Sequence, residues 1–174
     1  MDKDSNAAMT GRVRPNGRSY LDLLGLTMNH ASILVVDDNP DHLELTVMAL
    51  SECSDPREIV TATDGVEALD YLFGRGAYLG RDTAFQPRLV ILDMKLVRLH
   101  GLDVLKAMRK DPRTSTIPVV MHSSSTEKTD IAACYANSAN SYVRKATDYD
   151  ELRRKMRQVH DFWMTVNERY RPAA

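Results

Sequence analysis

Cysteine is scarce in this sequence: its 174 residues include only Cys53 and Cys134. The two cysteines lie far apart in the chain and form neither a Cys-x-x-Cys pair nor a disulfide framework, so we expect two buried thiols in a reducing compartment. None of the five histidines has another histidine four positions away or a cysteine at zinc-ligand spacing. A structural zinc site is therefore not expected.

The sequence also lacks an excess of either charge and any long apolar run. Lysine and arginine total 23 against 24 acidic residues, a net charge of -1, so no overall field attracts nucleic acid or an anionic membrane. No stretch approaches the ~20 apolar residues of a membrane span. The first four residues carry both signs of charge, unlike a secretory signal. We expect a cytoplasmic protein that binds neither nucleic acid nor membrane.

The composition that remains is that of an ordinary folded protein, with 43% apolar and 27% charged residues. A chain of this length predicts one domain. Residues 1–30 show no sustained hydrophobic period and are interrupted by Gly11, Pro15 and Gly17, which predicts a flexible N-terminal extension. The pattern becomes regular afterwards, and we expect the domain to occupy residues 31–170.

Short runs rich in β-branched residues predict five strands, most of them without polar alternation, which is typical of a parallel sheet buried on both faces. The predicted strands are Ile33–Val36, Ile59–Val60, Leu89–Leu92, Val119–Met121 and Tyr142–Val143.

Stretches with helical periodicity separate these strands. Asn39 and Pro40 predict the N-cap and first residue of the first helix, and Thr147 predicts the cap of a fifth helix that runs to about Tyr170. The apolar positions of the four earlier helices are Leu43, Val47 and Leu50; Val66, Leu69 and Leu72; Leu102, Leu105 and Met108; and Ile131 and Tyr135. This (βα)5 alternation predicts an α/β fold with a doubly wound, five-stranded parallel sheet, whose ligand lies at the carboxyl ends of the strands.

Charged and hydroxyl residues stand at those strand ends. Asp37 and Asp38 follow the first strand and Asp93 the third, while Ser123 and Lys145 follow the fourth and fifth. At an effective dielectric constant near 20, two like charges about 4 Å apart repel by about 4 kcal/mol, so clustered carboxylates need a counter-charge. A divalent cation supplies one, and a small set of oxygen ligands with open positions favours Mg²⁺ and phosphoryl chemistry.

Each of these residues also has an ordinary structural explanation. An aspartate after a strand often caps the next helix, a serine run is usually an exposed turn, and a lone lysine is usually solvated. The joint placement of all of them along one edge of one sheet is what favours a functional site.

Four separated segments resemble the receiver domains of two-component response regulators. Residues 33–40 are similar to the family's first strand with its acidic pair, and residues 89–101 to the strand and loop that carry the phosphoacceptor. Residues 118–125 resemble the segment with the switch hydroxyl, and residues 142–145 the segment with the switch aromatic and the lysine. The resemblance covers residues 31–160 and implies a flavodoxin-like strand order of 2-1-3-4-5.

The same resemblance implies a metal site and a phosphoacceptor. Asp93 would accept a phosphoryl group from a sensor histidine kinase or a phosphotransfer protein. Asp38, Asp93 and the main-chain carbonyl of Lys95 would hold Mg²⁺ directly, and Asp37 would assist through water.

A switch is implied as well. Lys145 would pair with phosphoryl oxygens, Ser123 would move to donate a hydrogen bond to one of them, and Tyr142 would follow inward. We expect the surface of helix four, strand five and helix five to change with phosphorylation.

Three positions depart from the family pattern. Val97 and Ala146 stand where prolines are usual, and Ala146 removes a cis-proline restraint beside Lys145. His122 occupies a strand position that is usually apolar, and we expect a partly buried imidazole whose hydrogen bonds are satisfied.

The chain looks most like the single-domain regulators that accompany bacterial phytochrome kinases, because of the long connection at Gly74–Gly80 and the segment Asp161–Trp163. The fifth helix carries an apolar stripe at heptad spacing that is too long for its own sheet to cover, so we expect a homodimer that buries Trp163. The stripe comprises Leu152, Met156, Val159, Trp163, Val166 and Tyr170.

Three functions are considered. The first is a phosphorylation switch, not an enzyme beyond its own phosphorylation and dephosphorylation. Its output is expected through docking or phosphorelay, because only Arg171–Ala174 follow the last helix. The second is an aspartyl-phosphate hydrolase of the haloacid-dehalogenase type, which is disfavoured because Lys95 stands where that class needs a second aspartate. The third is a pseudo-receiver that acts only by interaction, against which the full acidic set, Ser123 and Lys145 argue.

Overall fold

The computed structural model of the chain describes residues 32–168, so the predicted N-terminal extension over residues 1–30 lies outside the described residues. Five strands form one sheet: β1 (Ile33–Val36), β2 (Ile59–Ala62), β3 (Leu89–Leu92), β4 (Val119–Ser123) and β5 (Ser141–Arg144). All neighbouring pairs are parallel and the order is β2-β1-β3-β4-β5. The predicted fold class and strand order are confirmed.

Helices follow each strand in turn. They are α1 (Pro40–Ser51), α2 (Gly65–Phe73), α3 (Gly101–Lys110), α4 (Lys128–Ala136) and α5 (Tyr149–His160), and α5 continues as a π-helical segment over Asp161–Val166. Two short 3-10 turns cover Pro56–Glu58 and Gly76–Tyr78. Within residues 32–168, no helix is both long and apolar enough to cross a membrane.

Helices cover both faces of the sheet, as the unbroken apolar strands predict. Alternate residues of β1, β3 and β4 enter two separate cores. One core joins Leu34, Val90 and Met121 to Leu72, Leu105 and Cys134 of α2, α3 and α4. The other joins Ile33, Ile91 and Val120 to Leu50 and Met156 of α1 and α5. All residues of β1, β3 and β4 are buried, whereas β2 and β5 are partly exposed because they form the edges.

The starts of α1 and α5 show how side chains end a loop and begin a helix. Asn39 caps α1 as predicted, since its Oδ1 accepts hydrogen bonds from the backbone N–H groups of Asp41 and His42 at 2.9 and 3.0 Å. The cap of α5 is Asp148, whose Oδ1 accepts from the backbone N–H of Glu151 at 2.8 Å. The predicted cap at Thr147 is wrong, because the carboxylate one residue later reaches the free backbone N–H of Glu151 and complements the helix dipole.

The predicted apolar face of α4 is also wrong. Its fully buried residue is Cys134, whose sulfur lies 3.8 Å from the sulfur of Met94, while Tyr135 is 51% exposed. The helix is short and has little amphipathic pattern, so its sequence does not predict which of its residues pack against the sheet.

The apolar stripe of α5 packs mainly on its own domain. Leu152, Met156 and Val159 are buried in the second core and Trp163 packs against that core, whereas Val166 is 67% exposed. The helical turns end at Val166, where Asn167 adopts an extended backbone. The predicted helix is therefore not continuous beyond Val166, and its predicted end at Tyr170 lies outside the described residues.

Gly101, the first residue of α3, lies very close to the backbone of the loop that follows β3. The Gly101 N–H donates to the carbonyl of Met94 at 2.9 Å. A Cβ atom at Gly101 would lie 2.0 Å from the carbonyl oxygen of Asp93, which is far inside van der Waals contact. Only glycine lets α3 begin directly against the loop that follows β3.

We predict that Gly101→Ala lowers the free energy of unfolding by more than about 1 kcal/mol, although alanine is favoured over glycine by about that amount in an unconstrained helix. Urea denaturation measures the change. Lys110→Ala, at the exposed end of the same helix, serves as the control and should shift stability by less than about 0.5 kcal/mol. A Gly101→Ala protein at least as stable as the original would contradict the close approach.

Candidate active site

Three aspartates meet at the carboxyl edge of the sheet. Asp37 follows β1 directly, Asp38 is its neighbour, and Asp93 follows β3, the adjacent strand. One carboxylate oxygen from each lies within 4.8 Å of the others, and Asp37 and Asp93 are buried. The structure thus brings together the acidic cluster that the strand order predicts.

Lys145 reaches into this cluster from the end of β5. Its Nζ lies 2.7 Å from Asp37 Oδ2 and 3.2 Å from Asp93 Oδ1, and only 12% of its side chain is exposed. Its backbone N–H donates to the carbonyl of Ser123 at 2.9 Å, which ties the end of β5 to β4. The peptide bond to Ala146 is trans, so the lysine reaches both carboxylates without the cis-proline restraint.

The environment of Asp93 opposes its ionisation. Burial raises the pKa of the Asp93 carboxyl group, the ammonium of Lys145 works against that rise, and the nearby Asp37 carboxylate adds to it. The backbone N–H of Lys95 donates to Asp93 Oδ2 at 3.1 Å, which fixes one face of the carboxylate. The ionised cluster therefore carries more negative charge than one lysine offsets.

These residues fit a divalent cation. The converging oxygens are hard ligands, few in number and partly open to solvent through Asp38, which is the donor set that suits Mg²⁺ or Mn²⁺. Lys95 lies in the same loop with an exposed side chain, and its main-chain carbonyl stays a predicted ligand.

The predicted switch residues both connect to Ser125, which the sequence did not single out. Ser123 is 1% exposed at the end of β4, and its Oγ accepts from the Ser125 N–H at 3.3 Å. The hydroxyl of Tyr142, a half-buried residue of β5, donates to the Ser125 carbonyl at 3.0 Å. Ser125 Oγ in turn donates to Asp130 Oδ2 of α4 at 2.6 Å. Tyr142 thus already packs on the domain. The only feature of the sequence that pointed to Ser125 was the run of three serines.

His42 is a second residue near the site that sequence reasoning missed. Its Nδ1 lies 3.2 Å from Lys145 Nζ and 3.9 Å from Asp37 Oδ1. The signal that could have found it is position: the Asn39 cap starts α1 at the carboxyl edge of the sheet, which places His42 in the first helical turn beside the acidic pair.

His122 is more deeply buried than expected, at 3% exposure in β4. Burial, followed by the positive charge of Lys145, lowers the pKa of His122 to about 3, so the imidazole is neutral. Its Nε2 has no hydrogen-bond partner among residues 32–168, which corrects the expectation of a satisfied histidine.

Comparison with known proteins matches the part of the chain that contains the sheet and the site residues. The sequence pattern of the family described as response regulator receiver domain matches residues 33–157. The probable methanogenesis regulatory protein FilR2 of Methanothrix harundinacea is 33% identical over 144 residues, which cover 81% of this chain and 88% of FilR2.

Two solved structures share the fold over nearly their whole length. The phosphorylated cyanobacterial phytochrome response regulator RcpA is 32% identical, with a TM-score of 0.74 over 83% of this chain and 99% of RcpA. The Mn²⁺-bound form of response regulator Rcp1, a protein of Synechocystis, is 26% identical, with a TM-score of 0.72 over 80% of this chain and 98% of Rcp1.

We predict that Asp93→Asn raises the melting temperature at pH 7 in chelator-containing buffer by a few degrees. A carboxyl group with a raised pKa in the folded state contributes stability that is fully present below its unfolded pKa of about 3.9 and is lost as the pH rises through the folded value. The ionised carboxylate therefore lowers the stability of the fold at neutral pH, and the increase in melting temperature caused by asparagine should shrink as the pH falls towards 4.

Thermal scans across this pH range measure the effect, with Asp103→Asn on the exposed face of α3 as the control. An Asp93→Asn protein that melts at or below the original temperature at pH 7 would contradict the electrostatic description of the site.

Proposed function

The chain belongs to the response regulator receiver domain family, and from this premise we propose that it is a single-domain phosphorylation switch whose phosphoacceptor is Asp93. The donor would be a phosphohistidine on a sensor histidine kinase or a phosphotransfer protein. The observation that carries the proposal is the ammonium of Lys145, 3.2 Å from Asp93 Oδ1, inside a cluster of three carboxylates.

The arrangement suits phosphoryl transfer. The reaction needs an acceptor oxygen in line with the leaving group and positive charge on the equatorial oxygens, and little covalent work from the protein. Asp93 offers a carboxylate held by the Lys95 N–H, and Lys145 is placed to pair with the incoming oxygens.

A bound Mg²⁺ would supply further positive charge on the phosphoryl oxygens. Asp38, Asp93 and the Lys95 carbonyl are proposed as direct ligands, and Asp37 as a ligand through water. The Mn²⁺-bound form of Rcp1 supports a divalent cation in a related protein.

The switch follows from the charge that phosphorylation brings. A phosphoryl group adds nearly two negative charges and three strong acceptors, so Lys145 and the Ser123 hydroxyl gain partners that exist only in that state. Movement of Ser123 would break or shift its hydrogen bond with Ser125, which contacts Tyr142 of β5 and Asp130 of α4. The output surface is proposed to be α4, β5 and α5.

The kinase partner is proposed to be a phytochrome. RcpA, which shares the fold at 32% identity, is a phytochrome response regulator, and it has been obtained in phosphorylated form. This partner implies a cytoplasmic receiver.

The hydrolase alternative finds no support at the site. That chemistry needs a second carboxyl group two residues after the acceptor as the general acid, and here the residue is Lys95, whose side chain is exposed.

A homodimer through the end of α5 is proposed as well. Phe162 and Val166 are 49% and 67% exposed beside Trp163, and the Phe162 and Trp163 rings pack edge to face at 4.9 Å. Exposed aromatic and aliphatic side chains grouped at one end of a helix are typical of the centre of a subunit interface.

We predict that the protein incubated with Mg²⁺ and acetyl phosphate gains the mass of one phosphoryl group, measured on the intact chain. Asp93→Asn should abolish the gain, EDTA should prevent it, and Asp103→Asn should leave it unchanged. Rapid turnover of organic phosphates without a stable adduct would favour the hydrolase. A chain that gains no mass under any of these conditions would favour the pseudo-receiver.

We also predict a dimer in light scattering at micromolar concentration, and a monomer after the double change Phe162→Ser and Val166→Ser, which removes exposed apolar surface without touching the core. Replacing Leu79, which is 82% exposed in the loop after α2, with serine is the matched control and should leave the dimer intact. If the unchanged protein is a monomer at this concentration, the proposed interface is wrong.

A further inference from the structure

The ammonium group of Lys145 has a third polar neighbour besides the two carboxylates. A lysine side chain has three N–H donors, and the Nζ of Lys145 lies 2.7 Å from Asp37 Oδ2, 3.2 Å from Asp93 Oδ1 and 3.2 Å from His42 Nδ1. Since an ammonium group cannot accept, the contact with His42 is a hydrogen bond only if Nδ1 provides the lone pair and Nε2 carries the proton.

The fold holds His42 in this position. Asn39 Oδ1 accepts from the backbone N–H of His42 at 3.0 Å, so the capped end of α1 fixes the backbone at the rim of the site. The side chain is 49% exposed, and it contributes to neither hydrophobic core of the domain. Among residues 32–168, the polar contacts of its ring are those with Asp37 and Lys145.

Lys145 is the residue whose position most needs such a contact. Its side chain is a flexible four-carbon stem, and the residue that follows is Ala146, so no proline restrains the start of the next loop. Two carboxylate contacts leave one N–H of the ammonium undirected, whereas three acceptors define its rotation and its place beside Asp93.

We propose that His42 is a positioning residue, which holds the Lys145 ammonium beside Asp93 through Nδ1 and so accelerates phosphorylation of Asp93. The rate effect rests on the proposed function, whereas the contact itself does not. The two can therefore be tested separately.

The contact is tested by ¹⁵N NMR of lysine ammonium groups in neutral, metal-free buffer, with the signal of Lys145 assigned by its loss in Lys145→Ala. Hydrogen-bonded ammonium protons exchange slowly enough to be seen. We expect the Lys145 signal to broaden beyond detection in His42→Leu and to return in His42→Asn, whose Oδ1 is placed like Nδ1. A signal that is unchanged in His42→Leu would overturn the proposal.

The rate effect is tested with Mg²⁺ and acetyl phosphate, followed by intact mass. His42→Leu should slow phosphorylation roughly tenfold, the size expected for one hydrogen bond to a charged group, and His42→Asn should recover most of the rate. Glu44 is an exposed residue of α1 two positions after His42, and Glu44→Leu should leave the rate unaltered.

A double-mutant cycle separates positioning from general damage. In a Lys145→Ala background, His42→Leu should have no further effect on the slow residual rate. An equal slowing with and without Lys145 would overturn the proposal. If the original protein gains no phosphoryl group, the proposed function fails, while the NMR result still decides whether His42 holds Lys145.

Discussion

The attraction between one ammonium group and a crowded set of carboxylates organises this molecule. Parallel strands that end on the same edge force Asp37, Asp38 and Asp93 together, and like charges at that separation repel strongly in a partly buried site. Lys145 offsets part of that repulsion, yet burial still raises the pKa of Asp93. The remaining negative charge is what makes the edge of the sheet a place for a cation and, with it, for a phosphoryl group.

The same lysine connects the site to the rest of the domain. Its backbone is hydrogen-bonded to Ser123, and Ser123 is joined through Ser125 to Tyr142 and to Asp130 of α4. Asp93 is therefore linked through Lys145 to groups whose hydrogen bonds run to the fourth and fifth strands. On the opposite side of the sheet, α1 and α5 pack around Ile33, Ile91 and Met156, and Arg153 and Arg157 of α5 form ion pairs with Glu52 at the end of α1.

The sequence predicted the site better than it predicted the helices that surround it. Residues such as Asp93 and Lys145 stand directly after strands of the sheet, and the rule that parallel strands share a carboxyl edge is enough to bring them together. The face of α4 could not be predicted, because Cys134 becomes the buried residue only when the helix meets Met94. His42 and Ser125 were missed for a related reason, since each acts through a partner that is distant in the chain.

Local order along the chain determined the (βα)5 succession, the boundaries of β1 and β3, the Asn39 cap and the identity of the residues at the strand ends. These depend on apolar period, propensity and spacing, all of which a sequence displays. Tertiary structure alone decided which acceptors surround Lys145, how far the pKa values of Asp93 and His122 move, and how much of α5 its own domain covers. Such properties depend on distance and desolvation between segments that the chain separates, and only folding sets those distances.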